Sequence, residues 1–305
     1  MKLPNSLTLS AAALALFASA PALADQASEA PAETTEAAAA PGPALWKVAD
    51  EDTTIYLFGT VHALPPGLDW YDEDIASALN ASDTLVTEIR MDAASEAAMQ
   101  EVAMQKSILP DGTTLRSLLD EEQTAAYEGA LGNLGLPAAA FDRFEPWMAG
   151  LTLTILPLMQ QGYSPETGVE KVLLGKIGDK PQDALETADF QLDLFDSLPQ
   201  DKQITFLMEA VEGMDEAKEV LDAMVAEWIE GDADALAELM NEGLSDPELA
   251  EALLYSRNAN WVEWISNRLG APGTVFIAVG AGHLAGEKSV QDLLSQRDIA
   301  VERVQ

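Results

Sequence analysis

Two apolar runs of strand character, Ile55-Tyr56-Leu57-Phe58 and Val275-Phe276-Ile277-Ala278-Val279, lie near opposite ends of the chain, and each runs directly into Gly-x-x-His. The first motif is Gly59-Thr60-Val61-His62 and the second Gly280-Ala281-Gly282-His283, and they hold the only two histidines of 305 residues. Short apolar runs bounded by glycine read as buried strands. A strand that turns into a helix is the repeating unit of an open α/β sheet, where ligands bind beyond the carboxyl ends of the strands. A fold that pairs the two runs therefore brings both imidazoles to one crevice. The glycine three residues before each histidine is expected to give a sharp turn, through conformations other residues avoid, and open space beside the ring.

The rest of the chain is consistent with such a sheet. Ala44 to Val48 and Thr54 to Phe58 flank the acidic turn Asp50-Glu51-Asp52 and read as a hairpin. Thr84 to Ile89 reads as a third strand after a short helix, Asp72 to Asn80. Near the other end, Thr274 to Val279 and Ile299 to Val304 are expected strands, with a helix over Lys288 to Gln296 between them. From Ser95 to about Leu269 apolar residues recur at helical spacing, as in Leu207, Ala210, Val211 and Met214, or Leu221, Met224, Val225 and Trp228. Prolines separate these helices, and only Pro181 to Leu185 suggests a strand among them. The expected fold class is α/β, a central mixed sheet built from strands of both termini, with a large helical insertion over roughly 95–269. Strand, Gly-x-x-His and helix occurring twice hints at two related half-units.

Lys2, the apolar run Ala11 to Phe17 and Ala22-Leu23-Ala24 have the three parts of a secretory signal, with cleavage expected after Ala24 and a periplasmic destination. Residues 25–43 are almost all Ala, Pro, Glu, Thr and Ser, a leader that cannot bury a core. Residues 44–305 are expected to form one domain. Trp147 to Met159 is apolar but short and contains Pro157, so it reads as a core helix and not a span. Formal charge is −36, and −37 once Lys2 leaves with the signal. That charge is spread along the chain and repels phosphate backbones, which argues against nucleic-acid partners. The absence of cysteine excludes disulfides, thiol nucleophiles and thiolate metal sites.

Glu88 ends the run Leu85-Val86-Thr87-Glu88. Two imidazoles and one carboxylate suit Zn, Mn, Fe or Co with positions left for water. Glu88 is alternatively a general base without metal, or a salt-bridge partner of Arg90. Arg257-Asn258 lies in a helix just before the last motif strand, so its guanidinium reaches either a developing oxyanion, the Glu88 carboxylate or one of many other acids. Glu186 follows the middle strand and is either a group that orients a histidine or the arginine, or an acid at a helix N-terminus. Asp69, Asp72, Glu73 and Asp74 are expected to begin a helix, and Trp261 and Trp264 to pack in the core. A Gly-x-Ser-x-Gly nucleophile elbow and the His-Glu-x-x-His pattern are both absent. The Gly280-x-Gly282 fingerprint stands too close to the C-terminus for a dinucleotide-binding half.

These segments resemble one family. Leu57 to His62, Thr87-Glu88, Leu185-Glu186-Thr187 followed by Gln191, Arg257-Asn258, and Val279 to Gly286 match in order the TraB/GumN family, which is similar to the animal TIKI proteins. The wider group includes erythromycin-esterase-like and haem-binding ChaN-like proteins. The resemblance covers about Leu45 to the C-terminus. It implies a site of His62, Glu88 and His283 with Arg257 and Asn258 nearby, and a divalent-metal-dependent peptidase activity. Glu170, in Gly168-Val169-Glu170, stands where the family commonly has aspartate, and it receives no role. The expected function is an exported hydrolase acting on a peptide or small acyl substrate. His62, His283 and Glu88 are the metal ligands (Mn, Co or Zn), Arg257 or Asn258 the oxyanion stabiliser, and Gly59, Gly280 and Glu186 supporting groups. The alternatives are a non-catalytic metal- or haem-binding protein, or a metal-free esterase with His62 as base, with a possible link to exopolysaccharide synthesis.

Overall fold

The computed structural model describes residues 42–241 and 246–305. The expected signal and most of the leader fall on 1–41, outside the described residues. Strands β1 (Leu45–Ala49) and β2 (Thr53–Thr60) form the hairpin, with Leu45 opposite Phe58 and Ala49 opposite Thr54. Asp50 closes its turn by accepting the Thr53 and Asp52 N–H groups on one carboxylate oxygen. Helix α1 (Glu73–Ala81) leads to β3 (Thr84–Thr87), shorter than expected, so that Glu88 lies just past the strand and not at its end. The last motif strand is β5 (Gly273–Gly280), after the short β4 (Gln182–Ala184). The expected last strand shrinks to β6 (Glu302–Arg303).

Strand order is β4-β3-β5-β2-β1-β6. The four strands from β4 to β2 run parallel, while β1 and β6 are antiparallel additions at the edge. The N-terminal and C-terminal runs thus pair over eight residues, from Thr53 opposite Gly273 to Thr60 opposite Gly280. The strand expected at Pro181 to Leu185 is β4, and by pairing with β3 it gives the sheet one strand from the middle of the chain.

Alternation along the strands makes two buried faces. Ile55, Leu57, Val275, Ile277 and Val279 pack on Trp261, Val262, Ile265 and Leu294. Those partners come from α11 (Ser256–Arg268) and α12 (Val290–Ser295). On the other face Phe58, Phe276 and Leu85 pack on Trp70, Ile75, Leu79 and Trp228. A second body of apolar contacts surrounds α4 (Pro146–Gln160), which carries Pro157 and buries most of its length, as expected of a core helix. Its Gly150 lets α7 (Gln200–Gly213) approach closely, since a Cβ there would stand 2.9 Å from the Phe206 ring. Among the described residues no helix is long and apolar enough to cross a membrane.

Candidate active site

The carboxyl ends of β2, β3 and β5 lie side by side, and His62, Glu88 and His283 emerge there around one cavity of about 50 Å³. Neither Gly59 nor Gly280 adopts a left-handed conformation, so the expected glycine-only turn is absent and space is what these residues supply. A Cβ on Gly280 would lie 3.1 Å from Glu88 Oε1, 3.4 Å from His62 Nε2 and 3.6 Å from the His283 ring, which locates all three groups around one point. A Cβ on Gly59 would press on Ala281 at 3.1 Å, and its carbonyl accepts the Trp228 indole N–H at 2.8 Å. The two motifs are not equivalent half-units: His62 enters a loop, whereas His283 sits in the 3-10 turn Ala281–Leu284.

His62 is held by an acid. Its Nδ1–H donates to Glu170 Oε1 at 2.5 Å, the same oxygen that accepts the Thr60 hydroxyl, and this leaves Nε2 toward the cavity. Glu170 opens α5 (Val169–Lys176), and Gly168 before it is packed so tightly on the His62 carbonyl that a side chain would collide there. Burial alone would lower the His62 pKa. Glu170, by charge and hydrogen bond, and then Glu88 outweigh it and push the value up to about 9, with Arg257 opposing.

His283 is held by an amide. The Asn258 side-chain N–H donates to the Lys288 carbonyl, which aims its oxygen at the ring, and His283 Nδ1–H donates to that oxygen at 2.6 Å. Nε2 therefore carries the lone pair and accepts from Arg257 Nη1 at 3.1 Å. Burial and then Arg257 hold this imidazole well below its ordinary pKa, with Glu88 only partly opposing. Trp261 packs against the ring at 4.2 Å between centroids.

Arg257 joins the groups. Its Nη2 donates to Glu88 Oε2 at 2.5 Å and to Glu186 Oε2 at 2.9 Å, while Nε donates to Glu186 Oε1 at 2.9 Å. Glu88 is further held by the Gly280 N–H on Oε1 at 2.7 Å and by the Gln191 amide on Oε2 at 2.9 Å. Burial would raise the Glu88 carboxyl, but Arg257, the protonated His62 and the Gly280 N–H hold it well below the usual carboxylate range. Glu186 also accepts the Trp261 indole N–H at 2.8 Å, so Trp261 is a positioning residue as well as a core one. A π turn, Glu251–Tyr255, precedes Arg257 within a continuous helical run, and its Leu253 carbonyl accepts from Arg257 Nη1 at 3.1 Å. Such turns are enriched at functional sites, where they re-aim side chains.

Arg90 is not the partner of Glu88: it donates to the Gln182 carbonyl at the sheet edge. Asp72 caps α1 by accepting the Asp74 and Ile75 N–H groups, and its acidic neighbours do not line the cavity. Sequence reasoning missed the function-bearing contact of Glu170 and the apolar wall opposite the histidines, formed by Leu221, Met224, Leu236, Met240 and Leu254. The packing of Gly168 that brings Glu170 to the ring has no local signal in the sequence.

A family model, described as the TraB/PrgY/gumN family, matches residues 44–303. The chain belongs to this family. It is similar to an uncharacterized protein of Treponema pallidum (strain Nichols), 23% identical over 271 residues that cover 83% of this chain and 80% of the relative. It is also similar to the uncharacterized protein YbaP of Escherichia coli (strain K12), 26% identical over 193 residues, 61% of this chain and 70% of that one. No solved structure matches the chain significantly.

Does the donor set fit the divalent ion that the resemblance implies? Three acidic side chains, Glu88, Glu170 and Glu186, are only 7%, 6% and 5% exposed, and a single guanidinium is buried among them. That excess of acid is what holds a proton on His62, and a cation would satisfy it equally. Both Nδ1 atoms are engaged, the arrangement that fixes metal-binding imidazoles, and an ion at His62 Nε2 would take the place of the proton held there. In chemistry the residues fit. As they stand, no group of three His, Cys, Asp or Glu side chains among the described residues is disposed to hold an ion, and Arg257 occupies the His283 lone pair.

Proposed function

We propose that this protein is an exported hydrolase of peptide or other acyl bonds, dependent on a divalent ion held by His62, His283 and Glu88. The observation that carries the reading is the excess of buried acid around a cavity onto which both imidazoles open. The chemistry such an ion supplies is Lewis acidity toward water and a carbonyl oxygen. Glu170 and Asn258 orient the two rings, and Gly280 and Gln191 fix the Glu88 carboxylate. Arg257 must release His283 Nε2 for that nitrogen to serve as a ligand. Arg257 itself does not line the cavity; tied to Glu186 behind Glu88 and His283, its guanidinium would act on a developing oxyanion only as a fixed positive charge at one remove.

The contact between Arg257 and His283 favours a second reading, acid-base hydrolysis without metal. There His62, with a pKa of about 9, enters protonated at neutral pH and works as a proton donor and not as the base expected from sequence. The haem alternative has no comparable support, since the cavity is far below the roughly 300–1,000 Å³ of sites for larger ligands.

The test is hydrolysis of peptide and ester substrates by the mature protein after dialysis against EDTA, then with Mn, Co or Zn restored. Loss and recovery of turnover is expected. Turnover indifferent to chelation would select the acid-base reading, and no turnover in either state would leave only metal binding without catalysis. Export predicts that the protein recovered from the periplasm begins at Asp25.

A further inference from the structure

The cavity has a charged wall and an apolar wall, and the chemistry proposed above uses only the first. The second is built by α8 (Ala217–Glu230), α9 (Ala233–Asn241) and the π turn, which contribute Leu221, Met224, Leu236, Met240 and Leu254. All five are buried, none more than 9% exposed. The Trp228 indole N–H on the Gly59 carbonyl ties α8 to the first motif. Met240 rests on the second, where a Cβ at Gly282 would meet its sulfur at 2.9 Å. Gly282 therefore makes room for a thioether that faces the reacting groups.

We propose that this wall is the specificity subsite, taking a small uncharged aliphatic side chain, alanine to valine in size, next to the carbonyl that is attacked. The turnover part of the proposal rests on the hydrolase reading above; the binding part does not. Size points this way because the cavity of about 50 Å³ is a fraction of the ~150 Å³ that accommodates benzene in an engineered protein cavity. An aromatic side chain has no room there beside a carbonyl. Charge points the same way: the wall of Leu221, Met224, Leu236, Met240 and Leu254 offers an acidic side chain no polar partner, so its desolvation would go uncompensated. The two methionines can shift to admit a branched side chain, which sets the upper end of the size range.

The test compares coumarin amides of N-acetyl-alanine, N-acetyl-valine, N-acetyl-phenylalanine and N-acetyl-aspartate on the metal-loaded protein. The alanyl and valyl amides are expected to exceed the phenylalanyl one at least about tenfold in kcat/KM, and the aspartyl one by about a hundredfold. Met240→Ala should raise the phenylalanyl to alanyl ratio about tenfold, and Leu254→Ala provides the same test should that variant not fold. Preference for Phe or Asp in the wild type, or a ratio unmoved in both variants, overturns the proposal. A second arm measures binding of N-acetyl-valinamide and N-acetyl-phenylalaninamide by calorimetry. Binding of valinamide in preference, with no turnover of any amide, keeps the subsite and removes the hydrolase reading. Turnover without side-chain preference does the reverse, and neither binding nor turnover removes both.

Discussion

His62 and His283 end the same four-residue pattern, follow adjacent parallel strands and open on the same cavity, yet they are in opposite states. The first has an acid, Glu170, on Nδ1 and is pushed up to about 9. The second has an amide, Asn258, on Nδ1 and a guanidinium on Nε2, and is held neutral. The motif delivers an imidazole to the crevice, but its surroundings decide its charge: Glu170 and then Glu88 outweigh burial at His62, whereas burial and Arg257 prevail at His283. One cavity thereby offers a proton-holding ring and a lone-pair ring, the kind of asymmetry on which acid-base assignments rest.

The largest blow to that asymmetry is Arg257→Ala. It leaves Glu88 and Glu186 buried without their cation, and a loss of about 3–5 kcal/mol is expected in denaturant unfolding. A loss below ~1 kcal/mol would show that the buried network is not what orders the site. Next is the pH dependence of the metal-free protein. The folded pKa of His62 lies above its ordinary 6.5, so its stabilisation is complete below about 6.5 and is lost as pH rises through about 9. The amplitude is on the order of 3 kcal/mol, read as a falling urea midpoint over that window. The same window should be flat in His62→Gln.

Exchanging the grips sharpens the comparison further. Glu170→Gln should bring the His62 pKa down by at least one to two units, and Asn258→Asp should raise that of His283, both followed by imidazole NMR. If His62 keeps its state in Glu170→Gln, Glu170 is not what holds its proton; if His283 keeps its state in Asn258→Asp, burial and Arg257 outweigh a charge placed on Nδ1. The smallest effect lies outside the site. Glu209 has a buried carboxylate oxygen with no partner among the described residues, and burial, then Asp246 and Glu212, push its pKa up to about 7. A raised carboxyl costs stability once ionised, so stability should fall as pH rises from about 4.5 to about 7. Glu209→Gln should remove that slope and gain about 1 kcal/mol at pH 7.5, discounted for partial exposure.

The two motif strands were legible because Ile55 to Phe58 and Val275 to Val279 are apolar on both sides, as strands covered on both faces must be. The helix carrying Arg257-Asn258 was legible for a similar reason, from its spacing toward Leu269. Glu170 was not, because in sequence it is one acid among many, and only the packing of Gly168 on the His62 loop brings it to the ring. Met240 reads as ordinary core from its helical spacing, and nothing local reveals that it lies over Gly282. Of the two roles expected of Gly59 and Gly280, the rare backbone angle is absent and the open space is present: they are needed for the absence of a side chain.

The central claim is that the two imidazoles and Glu88 share one divalent ion. Equilibrium dialysis against Mn, Co or Zn followed by elemental analysis, on the wild type beside His62→Ala and His283→Ala, tests it most directly. About one ion per wild-type chain and little in either variant is the predicted result; equal metal in all three proteins would contradict it.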